Sequence, residues 1–286
     1  MNNSEISIYV PVYNGQNTIE ACINSILSQT VKPNKILVVN DNSTDNTVEI
    51  LKKYSDKIEI IDNEKNLGVS YIRNLATNYL KSKFIASIDA DVELTNNWLE
   101  KLIDKATKEN ITLIGGKMYE KFLNNPYNLW RSIRLKQNLG EKDILNPEFV
   151  FGCNSLLNTE NLDNQDMYRN DHEYYKTNGE DIEFSKKILG QNMNLYYCSS
   201  AICYHLQNDN YKTLSNRYWR YIHYGDGLKK RNLYKTFKNI FRQFKKTLKW
   251  SIEDLIKFRF KFIKVNFLIF YNFAIIDYQF FKKNKK

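Results

Sequence analysis

The sequence predicts an α/β protein: a doubly wound, mostly parallel sheet with helices on both faces, then a basic amphipathic helical tail. Three observations carry this. Short apolar runs alternate with segments whose apolar residues recur every three to four positions, the signature of strands alternating with helices. Several of these runs end on Asn or Asp, above all Phe84-Ile85-Ala86-Ser87-Ile88-Asp89-Ala90-Asp91. From Tyr211 onward the composition turns basic and aromatic.

The elements follow in order. Ile6–Val10 reads as a strand that runs into the turn-rich Pro11-Val12-Tyr13-Asn14-Gly15. Asn17, with Glu20 three residues on, predicts a capping box for a helix bearing Ile19, Cys22, Ile23, Ile26 and Leu27 on one face. Lys35–Val39 is a second strand, ending at Asn40-Asp41-Asn42-Ser43, and a helix passes through Val48 and Leu51. Ile58–Ile61 is a third strand, and Gly68 opens a helix with Tyr71, Ile72, Leu75 and Ala76 on one face. Phe84–Ile88 is the fourth strand, Trp98–Ala106 a helix and Thr112–Gly115 the fifth strand. Beyond these, Tyr127–Leu135 and Asp181–Leu189 read as helices, and Phe149–Leu157 and Asn194–His205 as extended.

A chain of 286 residues with 42% hydrophobic residues has a substantial core, in one large or two small domains. Only 10 Gly and 4 Pro exclude a collagen-like chain. The net charge of +10 hides a division. Residues 211–286 carry 20 Lys and Arg against 4 acidic residues, whereas residues 1–210 carry 22 against 28. A mildly acidic body with a strongly basic tail points to an anionic partner surface for the tail. The cysteines Cys22, Cys153, Cys198 and Cys203 form no Cys-x-x-Cys pair, which argues against a zinc knuckle. Glu5 and Ser7 interrupt any apolar N-terminal run, so no signal peptide is expected and the thiols are expected reduced, in the cytoplasm.

Asp89-Ala90-Asp91 is the most informative motif. A buried strand delivers the pair to its carboxyl end, where open α/β sheets bind ligands, and alternation along an extended backbone points both to one side. Two anions on one side repel unless a cation or donors stand between them. A divalent metal carrying a diphosphate meets that need, and the alternative is a solvated loop. The chain has neither Gly-x-x-x-x-Gly-Lys-Ser/Thr nor Gly-x-Gly-x-x-Gly, so a metal is the natural substitute for a phosphate cradle. Asp41, at the end of the second strand, can accept an N–H from a base or cap the next helix. Tyr13 can stack on a base or pack in its loop.

Val10-Pro11-Val12-Tyr13-Asn14, Val39-Asn40-Asp41-Asn42-Ser43-Thr44-Asp45, Asp89-Ala90-Asp91, Gly152-Cys153-Asn154 and Gly179-Glu180-Asp181 together resemble the family 2 glycosyltransferases, over roughly residues 4–206. The resemblance implies a GT-A fold, a nucleotide-sugar donor and inversion at the anomeric carbon. It implies donor contacts at Pro11, Tyr13, Asp41, Arg73, Asp89 and Ala90. Asp89 would bind ribose hydroxyls, and Asp91 with His205 would hold Mn²⁺ or Mg²⁺. Asp181 would be the general base, with Glu180 beside it. The common family pattern has Asp where this chain has Asn40. Other readings stay open: Arg73 as a solvated helix arginine, Asp181 as a favourable partner of a helix dipole, and His205 as a structural histidine.

In the tail, Leu233, Phe237, Ile240, Phe241, Phe244 and Leu248 share one helical face, and Lys235, Lys238, Arg242, Lys245, Lys246 and Lys249 occupy the rest. Such a helix lies on anionic membrane or packs on the body with its basic side in water. Val265–Phe281 falls short of the ~20 apolar residues a membrane span needs and is expected to be interfacial or docked. The division expected is 1–118 for the nucleotide-sugar, 119–210 for the acceptor and base, and 211–286 for membrane association. The partners expected are a nucleotide-sugar donor, a glycan or lipid-linked acceptor and the anionic cytoplasmic face of a membrane, with no nucleic acid. Two alternatives are a nucleotidyltransferase on a similar sheet and a nucleic-acid-binding protein using the tail.

Overall fold

β1 (Ile6–Val12) alternates its side chains between two apolar layers: Ile6, Ile8, Val10 and Val12 enter one core, while Tyr9 enters another. Burial on both faces is what the uninterrupted apolar run requires. The computed structural model describes residues 5–162, 167–168, 179–223 and 232–283. The stretch 174–178 before Gly179, and the last lysines Lys285 and Lys286, lie outside the described residues. The chain divides into two compact units. One comprises residues 1–121, 137–171 and 180–207; the other comprises residues 122–136, 172–179 and 208–286.

The first unit holds a nine-stranded sheet. β1 is flanked by β2 (Lys35–Asn40) and β4 (Phe84–Ile88), and β3 (Glu59–Asp62) edges β2, all parallel. Helices α1 (Ile19–Leu27), α2 (Thr47–Lys52) and α3 (Val69–Leu80) are the crossovers. Beyond β4 the sheet is mixed. β8 (Asn154–Asn158) runs antiparallel to both β4 and β6 (Leu113–Glu120). β9 (Leu195–His205) is parallel to β6, and the short β5 (Val92–Leu94) and β7 (Ile144–Leu145) pair antiparallel with β9. The expectation of a mostly parallel sheet therefore holds for the half containing β1–β4. Among the described residues, four of the eight pairings are antiparallel.

The sheet is doubly wound. Residues of α1, α2 and α4 (Trp98–Lys108) join one core, α3 packs on the other face, and α6 (Glu180–Gly190) packs on that face through Phe184 and Ile188. The capping box expected at Asn17 and Glu20 does not form. The N-cap of α1 is Thr18, without a side-chain cap, and the Gly15 carbonyl accepts from Thr18 N and Ile19 N. Gly68 does open α3, in a left-handed conformation (φ 84°) that favours glycine.

The second unit is helical: α5 (Pro126–Arg134), α7 (Tyr211–Ile222), α8 (Leu233–Ile256) and α9 (Phe260–Lys283). The division drawn from composition placed α5 in the body; here Trp130 of α5 is buried with Leu214, Tyr218, Val265, Ile269 and Phe273. Val265–Phe281 is docked in this core rather than free. α8 is inverted relative to a helix that packs through its apolar stripe. Its buried residues are Thr236, Asn239, Gln243, Thr247, Ser251 and Asp254. Leu233, Phe237, Phe241 and Leu248 face outward, Phe237 and Phe241 being 58% and 59% exposed. The polar face is satisfied by side chains from the other helices. Gln243 accepts from Tyr218 Oη (2.7 Å), Asn239 donates to Asp277 (3.1 Å), and Asp254 accepts from Asn266 (2.8 Å) and Arg134 (2.8 Å). No helix among the described residues is long and apolar enough to cross a membrane.

One position in the sheet admits no side chain. A Cβ on Gly116 would lie 2.5 Å from the Ala201 carbonyl oxygen and 2.5 Å from Asn154 Oδ1. The first of these is backbone and cannot turn aside. Gly116→Ala is expected to lower the unfolding free energy by about 1–3 kcal/mol, the usual cost of overpacking, read by urea denaturation.

Candidate active site

The carboxyl ends of β1 and β2 and the turn after β4 meet at a pocket of about 220 Å³. Pro11, Tyr13, Asp41, Asp89, Ala90 and Asp91 line it, together with Asn14, Gly15, Ile72 and Gln207 among others. Six of the ten residues singled out from the sequence therefore share one wall. Arg73, Glu180, Asp181 and His205 are not part of that lining; they stand behind or beside it.

Asp89 and Asp91 reach the pocket by a different route from the one expected. β4 ends at Ile88, and the pair sits in a tight turn closed by Val92 N donating to Asp89 O (3.0 Å). The turn, not strand alternation, brings both carboxylates to the pocket. Asp89 N donates to Cys153 O (3.0 Å) and Leu206 N to Asp91 O (2.7 Å), which fixes the turn from both sides.

Asp41 does not cap α2. Its Oδ1 accepts from Leu67 N (2.8 Å) and Asn63 Nδ2 (3.1 Å), and its Oδ2 from Gly68 N (2.8 Å), so it ties the loop before α3 to the end of β2. Asn40, where the family commonly has Asp, donates from Nδ2 to Asp62 Oδ1 (2.8 Å). An ionised Asp there would face a second carboxylate instead. Tyr13 is 54% exposed at the pocket mouth.

Arg73 is 2% exposed, so the solvated-arginine reading fails, and its partners are not the pocket's contents. Nη1 donates to Ser87 Oγ (2.5 Å) and to the Gly152 carbonyl, and Nη2 to Asp89 Oδ1 (3.1 Å), with Glu180 Oε1 at 3.8 Å. Arg73, expected at a donor contact, pairs here with Asp89, which itself lines the pocket. Gly152, quoted from the sequence without a role, explains itself here. A Cβ at that position would lie 2.9–3.2 Å from the guanidinium. Its N–H donates to Asp181 Oδ2 (3.2 Å), while Asp181 Oδ1 accepts from Ile182 N (2.9 Å). Asp181 thus stands in the first turn of α6, one residue from the Arg73–Glu180 pair. Burial, and then the neighbouring Glu180 charge, push its carboxyl up to about 7.

His205 ends β9 and is buried. Its Nε2 lies 3.3 Å from Asp91 Oδ2 and its Nδ1 3.2 Å from Glu120 Oε2. Burial works against the imidazolium, yet the two carboxylates raise its pKa overall. Glu120 was missed in the sequence because nothing in residues 119–150 marks it; the signal is the parallel register, which sets Glu120 opposite His205. A carboxylate behind the imidazole of a carboxylate–imidazole pair is the outer partner that orients a metal-ligating histidine. The Asp91 carboxylate suits Mn²⁺ or Mg²⁺, and the His205 imidazole favours Mn²⁺ of the two. Among the described residues no group of three His, Cys, Asp or Glu is arranged to hold a metal alone; such a metal would take further oxygens from a bound diphosphate. Burial, and then the Asp89 charge, hold the Cys153 thiol well above the usual range, which disfavours the thiolate.

The fold is the GT-A type expected. TarS of S. aureus, solved with UDP-GlcNAc, superimposes with a TM-score of 0.59 at 18% identity, covering 75% of this chain and 64% of that one. A mannosyltransferase of Pyrobaculum calidifontis, solved with GDP-Man and Mn²⁺, gives 0.56 at 13%, covering 76% and 62%. At the level of sequence, Glycosyl transferase family 2 matches residues 7–164, more than half of the chain, and the chain belongs to that family. Among similar curated proteins is WfgD of Escherichia coli, a UDP-Glc:alpha-D-GlcNAc-diphosphoundecaprenol beta-1,3-glucosyltransferase. It is 38% identical over 126 residues, 44% of this chain and 49% of its own. The processive diacylglycerol beta-glycosyltransferase of Mycoplasma pneumoniae is 30% identical over 174 residues, 58% of this chain and 49% of its own. The chain spans about half the length of these two relatives.

Replacing Arg73 by an apolar residue leaves Asp89 and Glu180 without their shared cation. Arg73→Met is expected to cost about 3–5 kcal/mol of folding stability, the usual result of removing one partner from a buried pair. Chemical denaturation reads this, and a loss below 1 kcal/mol would remove Arg73 as the organiser of the site.

Proposed function

We propose that this protein moves a sugar from a nucleoside-diphosphate-sugar to a hydroxyl of a glycan or lipid-linked acceptor, inverting the anomeric carbon. The observation that carries this is the pocket at the strand ends, with Asp89 and Asp91 in its wall and Asp181 linked to it through Gly152 and Arg73. Whole-ligand pockets hold ~300–1,000 Å³, so about 220 Å³ suits part of the donor, its base and ribose. In this reading residues 1–118 hold the donor, and residues 119–210 supply the base and the acceptor contacts.

Tyr13 presents its ring to the base. Asp41 Oδ2 has one bond from Gly68 N and keeps a lone pair for a base N–H. Asp89, oriented by Arg73, accepts from the ribose hydroxyls. Asp91 and His205 would hold the metal, with Glu120 orienting the imidazole; a bound Mn²⁺ or Mg²⁺ would offset charge on the leaving diphosphate. Asp181 accepts the acceptor hydroxyl's proton as that oxygen bonds to the anomeric carbon and the bond to the diphosphate oxygen breaks. A carboxylate titrating near neutrality suits a general base, and Glu180 helps set that value. The lipid-linked acceptor rests on the activities of the two similar glycosyltransferases of Escherichia coli and Mycoplasma pneumoniae and on the basic helical unit. We place that unit against the anionic cytoplasmic face of a membrane.

A donor screen by nucleotide-sugar hydrolysis with Mn²⁺ present tests the proposal. EDTA is expected to abolish turnover and Mn²⁺ to restore it; full activity in EDTA refutes the metal's part. Asp181→Asn is expected to lower kcat by a factor of about 10²–10⁴ while donor Kd stays constant, because the base acts only in the transition state. The product's anomeric proton, read by NMR, is expected to show inversion.

The pH profile has a definite sign. Asp181 accepts a proton only when ionised, and its carboxyl titrates at about 7. As pH falls through 7 the base is protonated, so kcat/KM is expected to fall about tenfold per unit below it and level off above. A profile flat from pH 8 to roughly pH 5, the range of ordinary carboxylates, contradicts this assignment.

A further inference from the structure

The turn between α8 and α9 exposes a cluster of large apolar side chains. Ile252, Leu255 and Ile256 end α8, Phe258 stands in the turn and Phe260 begins α9, with Ile256 69% and Phe258 80% exposed. Phe258 and Phe260 contact each other edge to face, their centroids 6.1 Å apart. Phe258 has φ 53°, a left-handed conformation unfavourable for a bulky non-glycine residue. The turn is fastened from within. Asp254 accepts from Arg134 (2.8 Å) and Asn266 (2.8 Å) and pairs with Arg259 (2.6 Å), and Arg259 N donates to Asp254 O (2.7 Å). The apolar tip is therefore a fixed feature rather than a frayed end.

The charge around the tip is one-sided. Lys257, Lys261 and Lys264 are exposed beside it. Along α8 an apolar flank (Leu233, Phe237, Phe241, Leu248) runs beside a basic flank (Lys235, Lys238, Arg242, Lys245, Lys249), both outside the buried polar face. Among the described residues of the tail the acidic ones do not offset this: Asp254 and Asp277 have fully buried side chains, and Glu253 pairs with Arg134 and Lys257. Two such tips from two copies would bring like charges together. An anionic lipid surface takes both the apolar residues and the lysines.

We infer that the α8–α9 tip is the element that enters an anionic lipid surface, with Ile256 and Phe258 in the acyl boundary and Lys257, Lys261 and Lys264 at the headgroups. This rests on the membrane reading of the helical unit and names the part that penetrates. The test is flotation of the full chain with vesicles of phosphatidylglycerol and phosphatidylcholine, against phosphatidylcholine alone, beside the Ile256→Ser/Phe258→Ser variant. Wild type is expected to float with the anionic vesicles, and the variant's partitioning to fall about tenfold or more with the thermal melt unchanged. In a second measurement, Phe258→Trp is expected to give an indole signal quenched by brominated phosphatidylglycerol. Wild type that ignores anionic vesicles overturns both the membrane reading and the tip. Equal flotation of wild type and variant, or an introduced indole that stays unquenched while the protein floats, overturns the tip alone. A lipid-free dimer that the variant converts to monomer assigns the face to a second copy and overturns the inference.

Discussion

Arg73 brings one buried guanidinium to the point where α3, the end of β4, the approach to β8 and the start of α6 converge. That region also holds Asp89, Asp91, Glu180 and Asp181. Two unit charges 4 Å apart interact by about 4 kcal/mol at the effective dielectric of a protein surface, so such a set does not stay assembled without a cation. Arg73 supplies it, and its planar fork reaches two carboxylates and two neutral acceptors at once, which a lysine cannot do. The price is steric: a Cβ at residue 152 would press within 2.9–3.2 Å of the guanidinium and push it off its partners. Gly152 then binds the Arg73 fork through its carbonyl and the Asp181 carboxylate through its N–H. One residue without a side chain joins the donor wall to the proposed base.

The pocket's other walls are held by loops that bind each other. Asn14 N donates to Ser43 Oγ (2.9 Å), Gly15 N to Thr47 Oγ1 (2.8 Å) and Gln16 N to Asp45 Oδ2 (3.1 Å), while Asn14 Oδ1 accepts from Thr44 N (2.8 Å). The loop after β1 is thus stitched to the loop after β2, and Asp41 stitches the latter to the loop before α3. A wall fixed before binding spares the entropy of ordering it on the ligand. This is why Asp45 and Thr47, which do not line the pocket, belong to the site's physics.

The parallel half of the sheet was legible because β1, β2 and β4 are buried on both faces and each crossover helix carries its period. The antiparallel half was not. β5 and β7 span only three and two residues, and their pairing depends on β9, about fifty to a hundred residues away. Among site residues, Asp89 and Asp91 announced themselves by spacing, and Asp41, Asp181 and His205 by resemblance. Arg73 was singled out, but its pairing with Ser87, Gly152 and Asp89 was not, since a helix arginine's direction depends on what lies across the interior. Glu120 was not found, because its meaning comes only from standing beside His205 in the neighbouring strand.

α8 shows the same limit in another form. Periodicity gave its apolar stripe correctly but not which side faces in, because the decision lies with residues elsewhere. Thr236, Asn239, Gln243, Thr247, Ser251 and Asp254 form the stripe that packs. Asn239, Gln243, Ser251 and Asp254 are buried without loss because Tyr218, Asp277, Asn266 and Arg134 arrive from α7, α9 and α5 to bond with them, and Thr236 bonds back to the Asn232 carbonyl. An apolar interface between long helices can slide by a turn at small cost; a buried amide or carboxylate cannot, since each unmade bond costs about 1–3 kcal/mol. The polar seam therefore fixes a single register for the helices. Its consequence is geometric: with the inner face given to amides and hydroxyls, Leu233, Phe237, Phe241 and Leu248 are left on the outer surface beside the lysines, while Phe244 and Trp250 pack at the edge of the seam.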